Sequence, residues 1–118
     1  MTCHVCGSVV FQDLAEGVHL EQASCINPKK VMELVGQGAA MSWQLINRHQ
    51  TMRDGDYDHG FAGSLMHKDL QIGLHEARAE GVSLPITEIV DSYYQQLESD
   101  GNGHKDTSSL LLRLQKRE

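Results

Sequence analysis

Lys68 and Asp69 stand side by side within residues 60–80, a stretch whose pattern predicts one helix. An ammonium can neutralise an anion, and a carboxylate can orient a hydroxyl. Neighbouring helix residues diverge by about 100°, so these two do not pair with each other and each is open to another partner. Met66, Leu70, Gly73, Leu74 and Ala77 form the apolar stripe of that helix. Lys68 points roughly opposite the stripe and Asp69 lies near its edge. A solvated helix face is the plainer account of the pair, since exposed lysines and aspartates rarely carry chemistry.

Cys3-His4-Val5-Cys6 is the other local motif with chemical potential, because a two-residue gap between cysteines suits zinc or a redox pair. It lacks a second half: no other such pair exists, and Cys25 stands alone. A thioredoxin-like pair would also need a strand ahead of it. Two small residues in the first turns of a helix is the simpler reading. The chain has 7 histidines but no His-Glu-x-x-His, and His67 and His75 have no carboxylate at matching spacing. Asp54, Asp56 and Asp58 begin like a calcium loop, yet no glutamate closes it. No metal site is therefore expected. Gly36-Gln37-Gly38 lacks the preceding strand and distal acidic residue of a dinucleotide fingerprint, and there is no Ser-centred nucleophile elbow.

Helices must position whatever site exists. A long one is expected over residues 5–24, with Val10, Leu14 and Val18 inward. Asn27-Pro28 is a cap followed by proline at the first helical position, opening a short helix that ends at Gly36. A third runs over 40–52 with Trp43, Leu45, Ile46 and Met52 as its apolar members, and 54–60 is a loop by composition. Ser64 or Gly63 caps the central helix and Gly81 ends it. Pro85 opens another, with Ile86, Ile89, Val90, Tyr93 and Leu97 as its repeat. After a polar turn, Asp106 caps a last helix carrying Leu110, Leu111 and Leu114, whose dipole Lys116 and Arg117 complement. Nothing alternates with period two, so the expected fold is all-α in a single domain, 1–118.

The 118 residues suffice for one core. A net charge of -6 with scattered basic residues argues against nucleic-acid binding. No stretch reads as a membrane span or a signal peptide. An odd number of cysteines fits a reducing compartment, so a cytoplasmic protein is expected.

Several spaced blocks carry a resemblance. Gly60-Phe61, Lys68-Asp69-Leu70, Ala77 and Gly81-Val82-Ser83-Leu84-Pro85-Ile86-Thr87, flanked by Leu14-Ala15-Glu16-Gly17, Asn27-Pro28 to Trp43 and Gly101 to Leu110, resemble the C-terminal domain of the β-hydroxyacid dehydrogenases. That family includes 3-hydroxyisobutyrate dehydrogenase and tartronate semialdehyde (2-hydroxy-3-oxopropionate) reductase. The resemblance implies a helical fold like the C-terminal domain of 6-phosphogluconate dehydrogenase, with no Rossmann domain in the chain. It implies NAD or NADP as cofactor and hydride transfer with a small 3-hydroxyacid or semialdehyde. Lys68 would contact the cofactor, Phe61 and Asp69 would line the substrate cleft, and Ser42 would lie close to it. The expected partners are a Rossmann cofactor domain and a second copy of the chain in a homo-oligomer. The family's catalytic lysine would fall immediately before Met1, and Cys3 stands where its asparagine is expected. The chain alone is then expected to be a truncated, inactive piece that does not bind cofactor tightly. Two other readings stay open: a free-standing helical dimerisation module, and a thiol or metal protein using Cys3 and Cys6.

Overall fold

A computed structural model describes residues 2–24 and 27–115. The element order is α1 (Thr2–Ala23), α2 (Pro28–Val35), α3 (Trp43–Asp54), α4 (Gly63–Ala79), α5 (Pro85–Ser99), a 3-10 turn (Thr107–Ser109) and α6 (Leu110–Gln115). Among the described residues there is no strand, only an isolated antiparallel bridge between Ala62 and Asp106. No helix is long and apolar enough to cross a membrane. The readings made of Cys25, Lys116 and Arg117 lie outside the described residues.

α1 is the strut of the domain and packs against α3, α4, α5 and α6. Ala15 and Val18 are fully buried on it, with Phe11 and Leu14 beside them. α4 delivers Met66 and Leu70 to the same core, α5 delivers Val90, Tyr94 and Leu97, and α6 delivers Leu110 and Leu111. The small Ala15 and the glycine face of α4, where Gly63 and Gly73 are buried, let helices approach closely.

Three helix starts differ from the sequence expectation, and at α4 the reason is a partner distant in the chain. α1 begins at Thr2 rather than Val5. α3 begins at Trp43 rather than Ala40, because Ser42 accepts a hydrogen bond from Leu45 N at 3.0 Å and fixes the start there. Neither Ser64 nor Gly63 caps α4: the cap is Ala62, which offers no side-chain acceptor. Instead Gly63 N donates to Lys105 O at 2.8 Å and Ser64 N to Gly103 O at 2.9 Å, so the turn before α6 satisfies the free N–H groups. Gly81, at φ 72°, does end α4, with Val82 N donating back to Ala77 O at 2.8 Å.

The inward face of α5 also differs from the expected repeat. Ile86 and Ile89 are exposed, while Thr87 and Asp91 turn inward beside Val90, Tyr94 and Leu97. Asp91 has polar partners waiting on α4: His67 Nδ1 lies 2.6 Å from Asp91 Oδ1, and the Gln71 side-chain amide donates to Asp91 Oδ2. A buried carboxylate is tolerated because it is hydrogen-bonded on both oxygens.

Candidate functional site

The site is assembled around Phe61, in the segment that leads into α4. Asp106, 1% exposed, accepts from Phe61 N through Oδ1 at 3.0 Å and from Ser108 N through Oδ2 at 3.1 Å. Arg48 of α3 donates its Nε to Asp106 Oδ2 at 3.2 Å. One carboxylate thereby joins α3, the segment before α4 and the 3-10 turn. Gly60 makes the approach possible, since at φ 73° a Cβ there would lie 2.0 Å from Asp106 Oδ1. Arg48 also sits over the exposed ring of Trp43, 5.1 Å from its centroid.

The charge of Asp106 is felt by two buried phenols. Tyr57 donates to Met52 O at 3.3 Å, and burial, with the Asp106 charge added, pushes its hydroxyl up to about 12. Tyr94 donates to Thr107 O at 3.1 Å, and burial, then Asp106, holds it well above the ordinary tyrosine value. Both phenols stay neutral donors, as the frame under the site requires.

Fixed in this way, the Phe61 ring is 38% exposed and its centroid lies 5.9 Å from that of His4, at an interplanar angle of 39°. His4 Nε2 reaches Asp69 Oδ2 at 3.1 Å, with the two side chains 35% and 33% exposed. His4 Nδ1 is buried without a partner. Lys68, next to Asp69, is exposed and makes no ion pair or side-chain hydrogen bond with a described residue. Leu65 and Ile72, on the same face of α4 as Lys68, are exposed too. The surface is thus an aromatic ring, a carboxylate held by an imidazole, and a free cation between aliphatic side chains. Such a surface can meet a ligand that combines apolar rings, hydroxyls and negative charge.

Phe61 and Asp69 are brought together through His4, with Lys68 adjacent. Ser42 caps α3 through its hydroxyl and lines a groove of about 600 Å³ between α1, α2 and the segment before α3. That groove is largely apolar, with Leu14, Met32, Val35, Met41 and Leu45 in its wall. α3 starts near the first turns of α1, as the 3.9 Å from a Cβ at Gly7 to Gln44 Nε2 indicates. Sequence reasoning missed His4, Arg48 and the hub role of Asp106, all of which depend on contacts between distant segments. The one available signal was that His4 is a polar, ring-bearing residue inside the Cys3–Cys6 motif. Among the described residues no cluster of three or more histidine, cysteine, aspartate or glutamate side chains could hold a metal.

Residues 5–114 match a family model described as NAD-binding of NADP-dependent 3-hydroxyisobutyrate dehydrogenase. An oxidoreductase of Shewanella frigidimarina (strain NCIMB 400) is 45% identical over 116 residues, covering 98% of this chain and 40% of that protein. A 3-hydroxyisobutyrate dehydrogenase-like mitochondrial protein of Arabidopsis thaliana is 31% identical over 103 residues, covering 87% of this chain and 31% of its own length. The crystal structure of 3-hydroxyisobutyrate dehydrogenase from Salmonella typhimurium superposes with a TM-score of 0.83 at 26% identity, covering 92% of this chain and 38% of that one. The chain therefore spans less than half the length of each of these proteins.

One expectation is overturned. The resemblance assigned the chain to a fold like the C-terminal domain of 6-phosphogluconate dehydrogenase, with no Rossmann domain in the chain. The matching family model is instead described as NAD-binding, so the helical chain is classed with the cofactor-binding part. Helical periodicity reports which side chains are buried, and it is the same whether the outer face meets a cofactor or another domain.

Proposed function

We infer the function from kinship: the chain belongs to the family described as NAD-binding of NADP-dependent 3-hydroxyisobutyrate dehydrogenase. The proposed activity is oxidoreduction of a small 3-hydroxyacid or its semialdehyde with NAD or NADP, in a cytoplasmic enzyme. This chain contributes one wall of the cleft, and a Rossmann-type domain contributes the other. The observation that carries the reading is the exposed Lys68, which makes no ion pair with a described residue, beside Asp69 and Phe61.

These residues fit a nicotinamide dinucleotide, whose phosphates are anionic and whose rings are flat and apolar. Bound there, the nicotinamide would supply or accept the hydride. Lys68 neutralises an anionic oxygen without first breaking an ion pair of its own. Asp69, steadied by His4, accepts a hydrogen bond from a hydroxyl. Phe61 keeps water off that edge of the cleft, and Asp106 keeps Phe61 in place.

The test is an equilibrium titration of NADH and NADPH into the chain, followed by amide resonances, with Lys68→Ala alongside. Weak binding that perturbs residues 61–72 and is reduced by about three- to tenfold in the variant is expected. Perturbation confined to other helices, or identical behaviour of the variant, would remove Lys68 from the site.

A second reading, a helical module that pairs with another copy, is favoured by the exposed Leu65 and Ile72 on α4 and Ile86 and Ile89 on α5. Light scattering on the purified chain separates the two, since a monomer at high concentration would set this second reading aside.

A further inference from the structure

Cys3 and Cys6 are both free and exposed on the first turns of α1. The residue between them that matters is His4, the one that links Asp69 and Phe61. We propose that Cys3 and Cys6 form an oxidisable dithiol whose disulfide would disengage His4 from Asp69, so that the thiol state of α1 controls the shape of the site.

The geometry supplies the coupling. Residues three apart on an α-helix share a face with about 5–6 Å between their Cβ atoms. A disulfide wants about 3.5–4.5 Å. The two sulfurs therefore meet only if the first turn tightens, and the available tightening is toward 3-10 geometry, in which side chains three apart eclipse. That change rotates His4, which lies inside the tightened turn. Its polar hold on Asp69 is a single contact: Nε2 makes it at 3.1 Å, while Nδ1 is buried without a hydrogen-bond partner among the described residues.

The reaction balances with a small-molecule disulfide such as oxidised glutathione. One cysteine thiolate attacks a sulfur of the oxidant, forming a mixed disulfide and releasing one thiolate. The second cysteine thiolate attacks the mixed disulfide at the protein sulfur, releasing the other. The oxidant's S–S bond is replaced by the Cys3–Cys6 bond, the two electrons end on the oxidant, and its two released thiolates take up the protons the cysteines lost. Neither step requires the dehydrogenase reading, and the readouts below are independent of activity.

The reduced chain is equilibrated with reduced and oxidised glutathione at a series of ratios. The products are mapped by mass after proteolysis, for the wild type and for Cys3→Ser, His4→Ala and Asp69→Asn. A loss of two hydrogens located to a Cys3–Cys6 cross-link is expected, absent in Cys3→Ser. Because the His4–Asp69 contact stabilises the reduced form, Asp69→Asn and His4→Ala should each oxidise at a ratio about two- to fivefold less oxidising, as befits a partly exposed pair. A cross-link to Cys25 or to a second chain, or two thiols that remain independently reduced, would overturn the dithiol. An unchanged midpoint in both His4→Ala and Asp69→Asn would overturn the coupling.

Discussion

Asp106 Oδ1 holds the backbone N–H of Phe61 at 3.0 Å across 45 residues of chain, so the exposed ring at the centre of the site is anchored by a buried carboxylate. Removing that carboxylate strands Phe61 N, Ser108 N and the Arg48 guanidinium together. Asp106→Ala is expected to lower unfolding stability by about 3–5 kcal/mol, with Asp106→Asn milder because an acceptor oxygen remains. Urea denaturation of both variants measures this, and equal losses would mean that the acceptor geometry at Phe61 contributes little.

Gly60 leaves no room for a side chain. Its φ of 73° disfavours any L-residue, and the added carbon would fall on Asp106 Oδ1. Gly60→Ala should therefore destabilise by more than the ~1 kcal/mol of a positive-φ substitution alone. Thermal unfolding decides it: a loss no larger than that of Gly55→Ala, where φ is 72° and nothing lies within 4 Å, would show that the carboxylate moves aside freely.

Two phenols set an alkaline limit. Tyr57 is raised from 10.0 to about 12, and Tyr94 is raised in the same direction. The unfolded chain loses these protons first, so it binds fewer protons than the folded chain above pH 10. The Tyr57 contribution is fully present below about pH 10 and is lost as pH rises through about 12, and that of Tyr94 is lost in the same direction. Unfolding midpoints measured from pH 9 to 12 should fall, and Tyr57→Phe should flatten the fall. A profile as steep in that variant would point to other groups.

The polar seam between α4 and α5 can be opened from either side. Asp91→Ala leaves His67 and Gln71 without their buried acceptor and should cost about 2 kcal/mol. Lys68→Ala, one residue along from His67 but facing solvent, should change stability by less than about 0.5 kcal/mol. Denaturation of the two variants side by side checks the contrast. A large loss in Lys68→Ala would mean that its side chain supports the fold rather than waiting for a ligand.

Local rules were enough to find the helices. Asn27 caps α2, accepting from Lys30 N at 3.3 Å, Pro85 opens α5, and Gly81 closes α4 in the left-handed region, each signalled by a single residue. The outward turn of Lys68 followed from helix phase alone. The inward face of α5 was read correctly at Val90 and Leu97 but not at Ile86 and Ile89, which are outside, while Asp91 turns inward to meet His67 and Gln71 on another helix. His4, Arg48 and Asp106 act across long separations, and composition and periodicity carry no such information. The class of the domain was taken from the resemblance of spaced blocks, and those blocks do not say what an exposed face will meet.

The first two N–H groups of α4, those of Gly63 and Ser64, find their acceptors at Lys105 and Gly103 rather than in their own neighbourhood. During folding this turn must therefore wait until the chain's last third has docked, a long loop closure made before any local reward. Amide exchange at Gly63 and Ser64 would report the arrival of α6, and the segment bearing Phe61 would be among the last parts of the molecule to become ordered.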